Sequence, residues 1–241
     1  ANVFRDDPEF CKASVTWGAE EVQHGDALGR WAEMADTGFD FDAAFADFKD
    51  KIQLPLDAEA SVRGSRVGEL IARCIVECGT SSLYAAIAAY TDEPVLKQVC
   101  QNIAADELRH YKLFYSYHKR YLKAENVGVL RRAWVAIGRI RETEDDELAY
   151  AYYAANHAAD GPYDRKLYTK KYIARAYSIY RFAHIERATA MAFKAVGLKP
   201  HGRLNMLLAR NMYRFVHWRA KRHMRKEGVA MDLGSARAEA A

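Results

Sequence analysis

Two short segments share one spacing of chemically able residues. Glu21-Val22-Gln23-His24 and Glu107-Leu108-Arg109-His110 both read Glu-x-x-His. On a helix, positions i and i+3 share a face, so each segment offers a carboxylate and an imidazole to one point. Each lies among apolar residues, Trp17 and Leu28 in the first case and Ile103 and Phe114 in the second. A third carboxylate, Glu77, falls inside the apolar run Ile75-Val76-Glu77-Cys78. A charge buried there needs a partner. Two readings stay open for these residues. One is two solvated faces plus a buried Glu77 paired with Arg73. The other is a metal site of three carboxylates and two imidazoles, a donor set without thiolate that suits Fe or Mn rather than Cu(I) or structural Zn. On the second reading Glu21, His24, Glu77, Glu107 and His110 converge within about 10 Å, because metal–ligand bonds are only about 2.0–2.2 Å long.

Such residues need long helices to hold them, and the sequence supplies helix signals throughout. Asp7-Pro8 reads as an N-cap with proline in the first turn, opening a helix that runs to Asp36. Phe41, Ala44, Phe45 and Phe48 have helical spacing, and Pro55 ends that piece. Further helices are expected from Ser61 to Tyr90, from Pro94 to Lys123, and over 127–158, 163–196 and 201–226. Their breaks fall at Asn126, at Asp160-Gly161-Pro162, and at Gly197 with Pro200. Strand-type alternation is absent. The 241 residues, 50% apolar and 28% charged, suit a globular chain rather than a disordered one. The reading is an all-α bundle in one domain, 1–241, with metal-site helices over 8–124, additional helices over 127–226 and a tail at 231–241. The longest unbroken apolar run, Leu83 to Tyr90, is far short of the roughly 20 residues of a membrane span. Asp6, Asp7 and Glu9 speak against a leader at this position. Cys11, Cys74, Cys78 and Cys100 form no CxxC pair, which excludes a zinc ribbon. They read as reduced packing residues of a cytoplasmic protein.

The paired motifs resemble the ferritin-like di-iron carboxylate proteins, and within them the soluble acyl-carrier-protein desaturases. Trp17-Gly18-Ala19-Glu20-Glu21-Val22-Gln23-His24-Gly25-Asp26 is similar to their Trp-x-Ala-Glu-Glu-x-x-His-Gly-Asp segment. Ile103-Ala104-Ala105-Asp106-Glu107-Leu108-Arg109-His110 is similar to their Ile-Ala-Ala-Asp-Glu-x-Arg-His segment, and Glu77 with Thr80 to their Glu-x-x-Thr. The resemblance covers roughly residues 8–123. It implies a ferritin-like bundle with additional C-terminal helices, and Glu21, His24, Glu77, Glu107 and His110 as metal ligands. Thr80 would be a hydroxyl aiding proton delivery. Asp106 would accept a hydrogen bond from a ligand histidine. Trp17 would pack behind the first motif, and Glu20 would point to the surface. The implied cofactors are two Fe ions, or mixed Mn/Fe, reduced by an external electron donor. The implied function is oxygen-dependent oxidation of an apolar acyl chain, as in a desaturase or hydroxylase. Rival readings are a ferroxidase, a rubrerythrin-like peroxide scavenger, or a helical binding protein with a relict metal site. The family's first carboxylate helix has no counterpart among the twenty residues before Glu21. The sixth ligand would then come from upstream of the given sequence or from Glu147 or Glu186, or the site is degenerate.

Downstream, Tyr168, Tyr172, Tyr180, Phe182 and His184 read as an aromatic packing face, with a radical relay or substrate wall as the sharper alternative. Residues 201–226 carry eight Lys/Arg, three His and no acid. An acidic carrier protein or an anionic membrane surface fits that segment. Nucleic acid does not, because no base-reading module accompanies it. The remaining partners implied are an electron-donor protein and a second copy in a homodimer.

Overall fold

Asp7, Asp40, Ser65 and Asp164 each accept a hydrogen bond from a backbone N–H three residues on, and each begins a helix. Glu93 does the same for Val95 and Leu96, with Pro94 opening the first turn. The computed structural model describes residues 2–53, 58–142, 146–156 and 161–227. A short 3-10 turn, Asn2–Phe4, precedes α1 (Pro8–Ala35), α2 (Phe41–Lys51), α3 (Arg66–Tyr90) and α4 (Pro94–Glu125). Then come α5 (Val129–Glu142), α6 (Asp146–Asn156), α7 (Arg165–Ser178), α8 (Phe182–Val196) and α9 (Arg203–Glu227). No strand occurs among the described residues. Pro55, Asp160 and the tail 231–241 lie outside them.

Core and connectivity follow from α3. Val67, Leu70, Ile71, Cys74, Ile75 and Cys78 are all buried and lie on one broad face by helical spacing, and this helix packs on several others. Its main partner is α4, and α5 and α8 also lie against it. The further pairings of α8 with α9, α9 with α7, α7 with α6, α6 with α2, α2 with α1 and α1 with α4 close a circuit of helices. By length and composition α3 could cross a membrane, with mean hydropathy 1.3 over its most apolar window. The run-length reading did not anticipate this. That window is 56% buried, as befits the central helix of a bundle. All four cysteines are unpaired, three of them buried.

Two expected helices are each divided in two. The segment 127–158 forms α5 and α6, and 163–196 forms α7 and α8. No proline or glycine marks the second division. Tertiary contacts make it. His217 of α9 donates from Nε2 to the Tyr180 carbonyl at 2.8 Å, and His184 Nδ1 accepts from the Arg181 backbone N–H at 3.1 Å. These side chains satisfy groups that a continuous helix would pair internally. The third helix also starts later than expected, at Arg66, because the Ser65 hydroxyl caps it.

Candidate metal centre

α1, α3 and α4 bring the five sequence-identified residues together. α1 presents Glu21 and His24, α3 presents Glu77, and α4 presents Glu107 and His110. Among the described residues, Glu21, Glu77, Glu107 and His110 each offer a ligand atom within 4.8 Å of the others. His24 Nδ1 lies 3.6 Å from Glu21 Oε2 and 3.5 Å from Glu107 Oε1. His110 Nδ1 lies 3.1 Å from Glu21 Oε1 and 3.5 Å from Glu77 Oε2. Glu77, Glu107 and both histidines are buried, whereas the Glu21 side chain is 34% exposed. The cluster therefore opens on the α1 side.

Each histidine turns the same nitrogen inward. His24 Nε2 donates to Asp106 Oδ2 at 3.2 Å, and His110 Nε2 donates to Glu20 Oε2 at 2.6 Å. Both Nδ1 atoms thus face the carboxylates. The acids cross over, since Asp106 of the second motif holds the histidine of the first, and Glu20 of the first holds the histidine of the second. Arg109 spans both acids, reaching Asp106 and, at 3.4 Å, Glu20. Glu20 is accordingly not the surface residue expected from its position beside Glu21. Its role was legible in a parallel that the expectation passed over: an acid immediately precedes the ligand-type Glu in both motifs. Trp17 also differs from expectation. Its ring meets His110 and Phe114 edge-on at 6.5 and 5.3 Å, packing against α4 rather than behind its own motif.

The alternative partner for Glu77 is otherwise engaged, because Arg73 pairs with Glu69 at 3.4 Å. Both Glu77 oxygens and the Nδ1 atoms of His24 and His110 are buried without a hydrogen-bond partner. Unpartnered polar atoms on three helices, gathered in one region, fit a bound cation. Burial pushes the Glu77 carboxyl up, and Glu107 and Glu21 beside it add to the shift against the opposing pull of His110. Burial works against a charged His110, yet Glu107, Glu21, Glu77 and Glu20 together raise it to about 12. Glu107 is also opposed by burial, but His110, Glu77 and Thr80 beside it hold it low. Thr80 Oγ1 lies 2.6 Å from Glu107 Oε2 and 3.2 Å from the Val76 and Glu77 carbonyls. Its single proton goes to the carboxylate, the nearest and charged acceptor.

Neither candidate for a sixth ligand joins the group. Glu147 is exposed on α6, which packs on α2 and α7. Glu186 turns to the start of α9, where Oε1 takes hydrogen bonds from His201 and Asn205 at 2.9 and 3.2 Å. On the other side stands Tyr84 of α3, whose phenol is raised by burial and then by Glu107, Cys100, Glu21 and Tyr172 of α7. The late aromatic residues divide into two groups. Tyr168 joins Tyr150, Tyr153 and Tyr163 in a cluster against α2, while Tyr180 meets His184 edge-on.

Residues 5–140, more than half of the chain, match the family described as fatty acid desaturase. That stretch includes all of α1 to α4, and with them every residue of the cluster. No curated protein and no solved structure matches the chain.

Proposed function

The chain belongs to the fatty acid desaturase family, and on that premise we propose that it is an oxygen-dependent di-iron oxidoreductase of an apolar acyl substrate, built on a ferritin-like bundle. One observation carries the reading. Glu77 is 1% exposed, has no hydrogen-bond partner on either oxygen, and faces two carboxylates and an imidazole nitrogen. A structural role would not leave a buried carboxyl so placed.

Glu21, His24, Glu77, Glu107 and His110 would hold the metal. Two iron ions there would supply the oxygen chemistry that removes hydrogen from an unactivated C–H bond. Asp106 and Glu20 accept from Nε2 of the two histidines and so aim Nδ1 inward, where it would be available to a metal. Thr80 holds a proton on Oγ1, one hydrogen bond from Glu107. Trp17, Ile103 and Phe114 keep water from the α4 side. An external electron-donor protein completes the cycle.

The test is metal analysis followed by an acyl assay. Protein loaded with ferrous iron without oxygen should retain about two ions per chain, from the paired Glu-x-x-His motifs. Glu107→Ala should lose at least half of them. Stoichiometric iron in that variant would refute the ligand assignment. With iron confirmed, mass spectrometry of fatty acyl thioesters after reduction and oxygen exposure should find loss of two hydrogens or gain of one oxygen. Iron oxidation without either change would assign a ferroxidase instead.

A further inference from the structure

Charge is divided unequally along this chain. Its net value is +4, from 36 Lys/Arg against 32 Asp/Glu. Thirteen of those 36 and one of those 32 lie on α7 and α9, two helices packed on each other. The pair therefore carries +12 and the rest of the chain −8.

α9 docks on its neighbours through Asn205, Ala209, Val216 and Ala220, all buried. Its outward side is not simply polar. Leu204, Leu207, Leu208, Phe215 and Trp218 are 45–59% exposed and, by helical spacing, form one stripe. Arg203, Arg210, Arg214 and Lys221, all exposed, run along one flank of it. Arg219 bounds the other flank, its guanidinium 5.6 Å from the Phe215 ring centre, and Arg222 lies 5.4 Å from that of Trp218. Behind Arg219 the seam between α7 and α9 opens into a cleft of about 370 Å³, lined by Arg165, Lys166, Thr169, Lys170, Arg219 and His223 with Ile173. No acid lines it.

We propose that the α7–α9 end of the molecule docks on an anionic phospholipid membrane. The Leu/Phe/Trp stripe enters the headgroup layer, the flanking cations meet lipid phosphates, and the cleft accepts one phosphate group. An apolar band with a row of cations on one flank and Arg219 on the other has the cross-section of a helix lying in a bilayer interface. The long basic stems keep their charges in the phosphate layer while the aromatic rings enter below it. A second copy suits this face poorly, since a two-fold contact would set arginine rows against each other. An acidic protein would satisfy the cations and give the apolar stripe no specific use. The proposal makes no use of the metal cluster, and both helices lie beyond the residues that match the family.

The experiment is flotation of the protein with phosphatidylcholine vesicles, with and without phosphatidylglycerol, at low and high salt. Binding is expected only to the anionic vesicles, and weaker at high salt. Arg210→Gln with Arg214→Gln should weaken it about 25-fold, taking about fivefold for each lost charge. Phe215→Ala with Trp218→Ala should weaken it at least about tenfold, from the apolar area withdrawn. These side chains are exposed, so unfolding temperature and iron content should stay at wild-type values. Several results would overturn the proposal. They are absence of vesicle binding, equal binding to neutral vesicles, or an aromatic double variant as tight as wild type, which an acidic protein partner would predict. A stable dimer that protects α9 from hydrogen exchange and does not float would identify a second copy as the occupant. Complete displacement from vesicles by inorganic phosphate would assign the cleft to a free anion.

Discussion

His24 and His110 present Nδ1 to the cluster because Asp106 and Glu20 accept the hydrogen bond that Nε2–H donates. The same logic of one proton and one acceptor governs Thr80. Its hydroxyl bonds Glu107 at 2.6 Å, and valine keeps the shape while deleting that bond. Thr80→Val should leave iron content unchanged, because five stronger donors remain. Product formed per oxygen consumed should fall about tenfold, the usual weight of one hydrogen bond to a charged group, with peroxide released instead. Equal coupling in both proteins would remove Thr80 from the chemistry. His118 offers a second prediction away from the site. It is 2% exposed with neither ring nitrogen bonded, stacked on Tyr115. Burial, then the charges of Arg132 and Lys119, lowers it to about 4. Above pH 6.5 it is neutral in both folded and unfolded chains. As pH falls from there toward 4, only the unfolded chain takes the proton, and stability drops by up to about 3 kcal/mol. His118→Leu should lie within about 1 kcal/mol of wild type at pH 7.5, since no hydrogen bond is lost. At pH 5 it should be the more stable of the two in urea unfolding. The ligand residues were legible because a repeated Glu-x-x-His is rare and its spacing is geometric. His118 was not, for nothing local distinguishes an unbonded histidine from a bonded one.

At the scale of elements, α1, α2 and α4 announce themselves through caps, and the start of α3 and the later divisions do not. Asp7-Pro8, Asp40 and Glu93-Pro94 carry their hydrogen bonds within three residues, so local sequence suffices. The break before α8 depends on His217, thirty-seven residues from its acceptor, and no local pattern reports it. The sequence between α5 and α6 carried a helix-start pattern, a hydroxyl residue followed by three acids in Thr143-Glu144-Asp145-Asp146. Helix packing adds a constraint at Gly29. This residue of α1 is buried against Phe41 of α2, and a Cβ there would stand 2.6 Å from two atoms of that ring. Because the clash reaches Phe41 Cγ, the whole ring must move, and its stacking on Phe45 at 5.7 Å goes with it. Gly29→Ala should therefore lose about 1–2 kcal/mol in denaturant unfolding, the overpacking cost exceeding the helix-propensity gain. Adding Phe41→Ala should restore part of that loss. A stabilised single variant would mean that α2 does not hold this position against α1.

The whole molecule joins two properties that composition alone conceals. A net charge of +4 reads as ordinary, yet it is the remainder of a basic end and an acidic body. The acids of the body include Glu20, Glu21, Glu77, Asp106 and Glu107, drawn from three helices into one small region. α1 packs mainly on α4 and meets α3 more lightly, as where the Arg73 guanidinium lies over the Trp17 ring, so the cluster is also a junction between elements. Without metal, that junction is balanced by protons. Glu77 is shifted upward by burial and its neighbours, and His110 is raised to about 12. A cation that replaces those protons should stabilise the fold, because it binds the native arrangement and not the unfolded chain. At iron concentrations about a hundredfold above its dissociation constant the gain is about 3 kcal/mol, which for a chain of this size raises the unfolding temperature by about 5–10 °C. Glu77→Gln separates the two states of the site. The amide has the shape of the protonated carboxyl, so metal-free variant and wild type should unfold within about 1 kcal/mol of each other. Only wild type should gain the increment when ferrous iron is added without oxygen. Calorimetry of both proteins, with and without iron, checks this. An iron-dependent shift of equal size in the variant would show that Glu77 is no ligand, and a metal-free variant that fails to fold would show that its carboxyl serves the packing of α3 and not a metal.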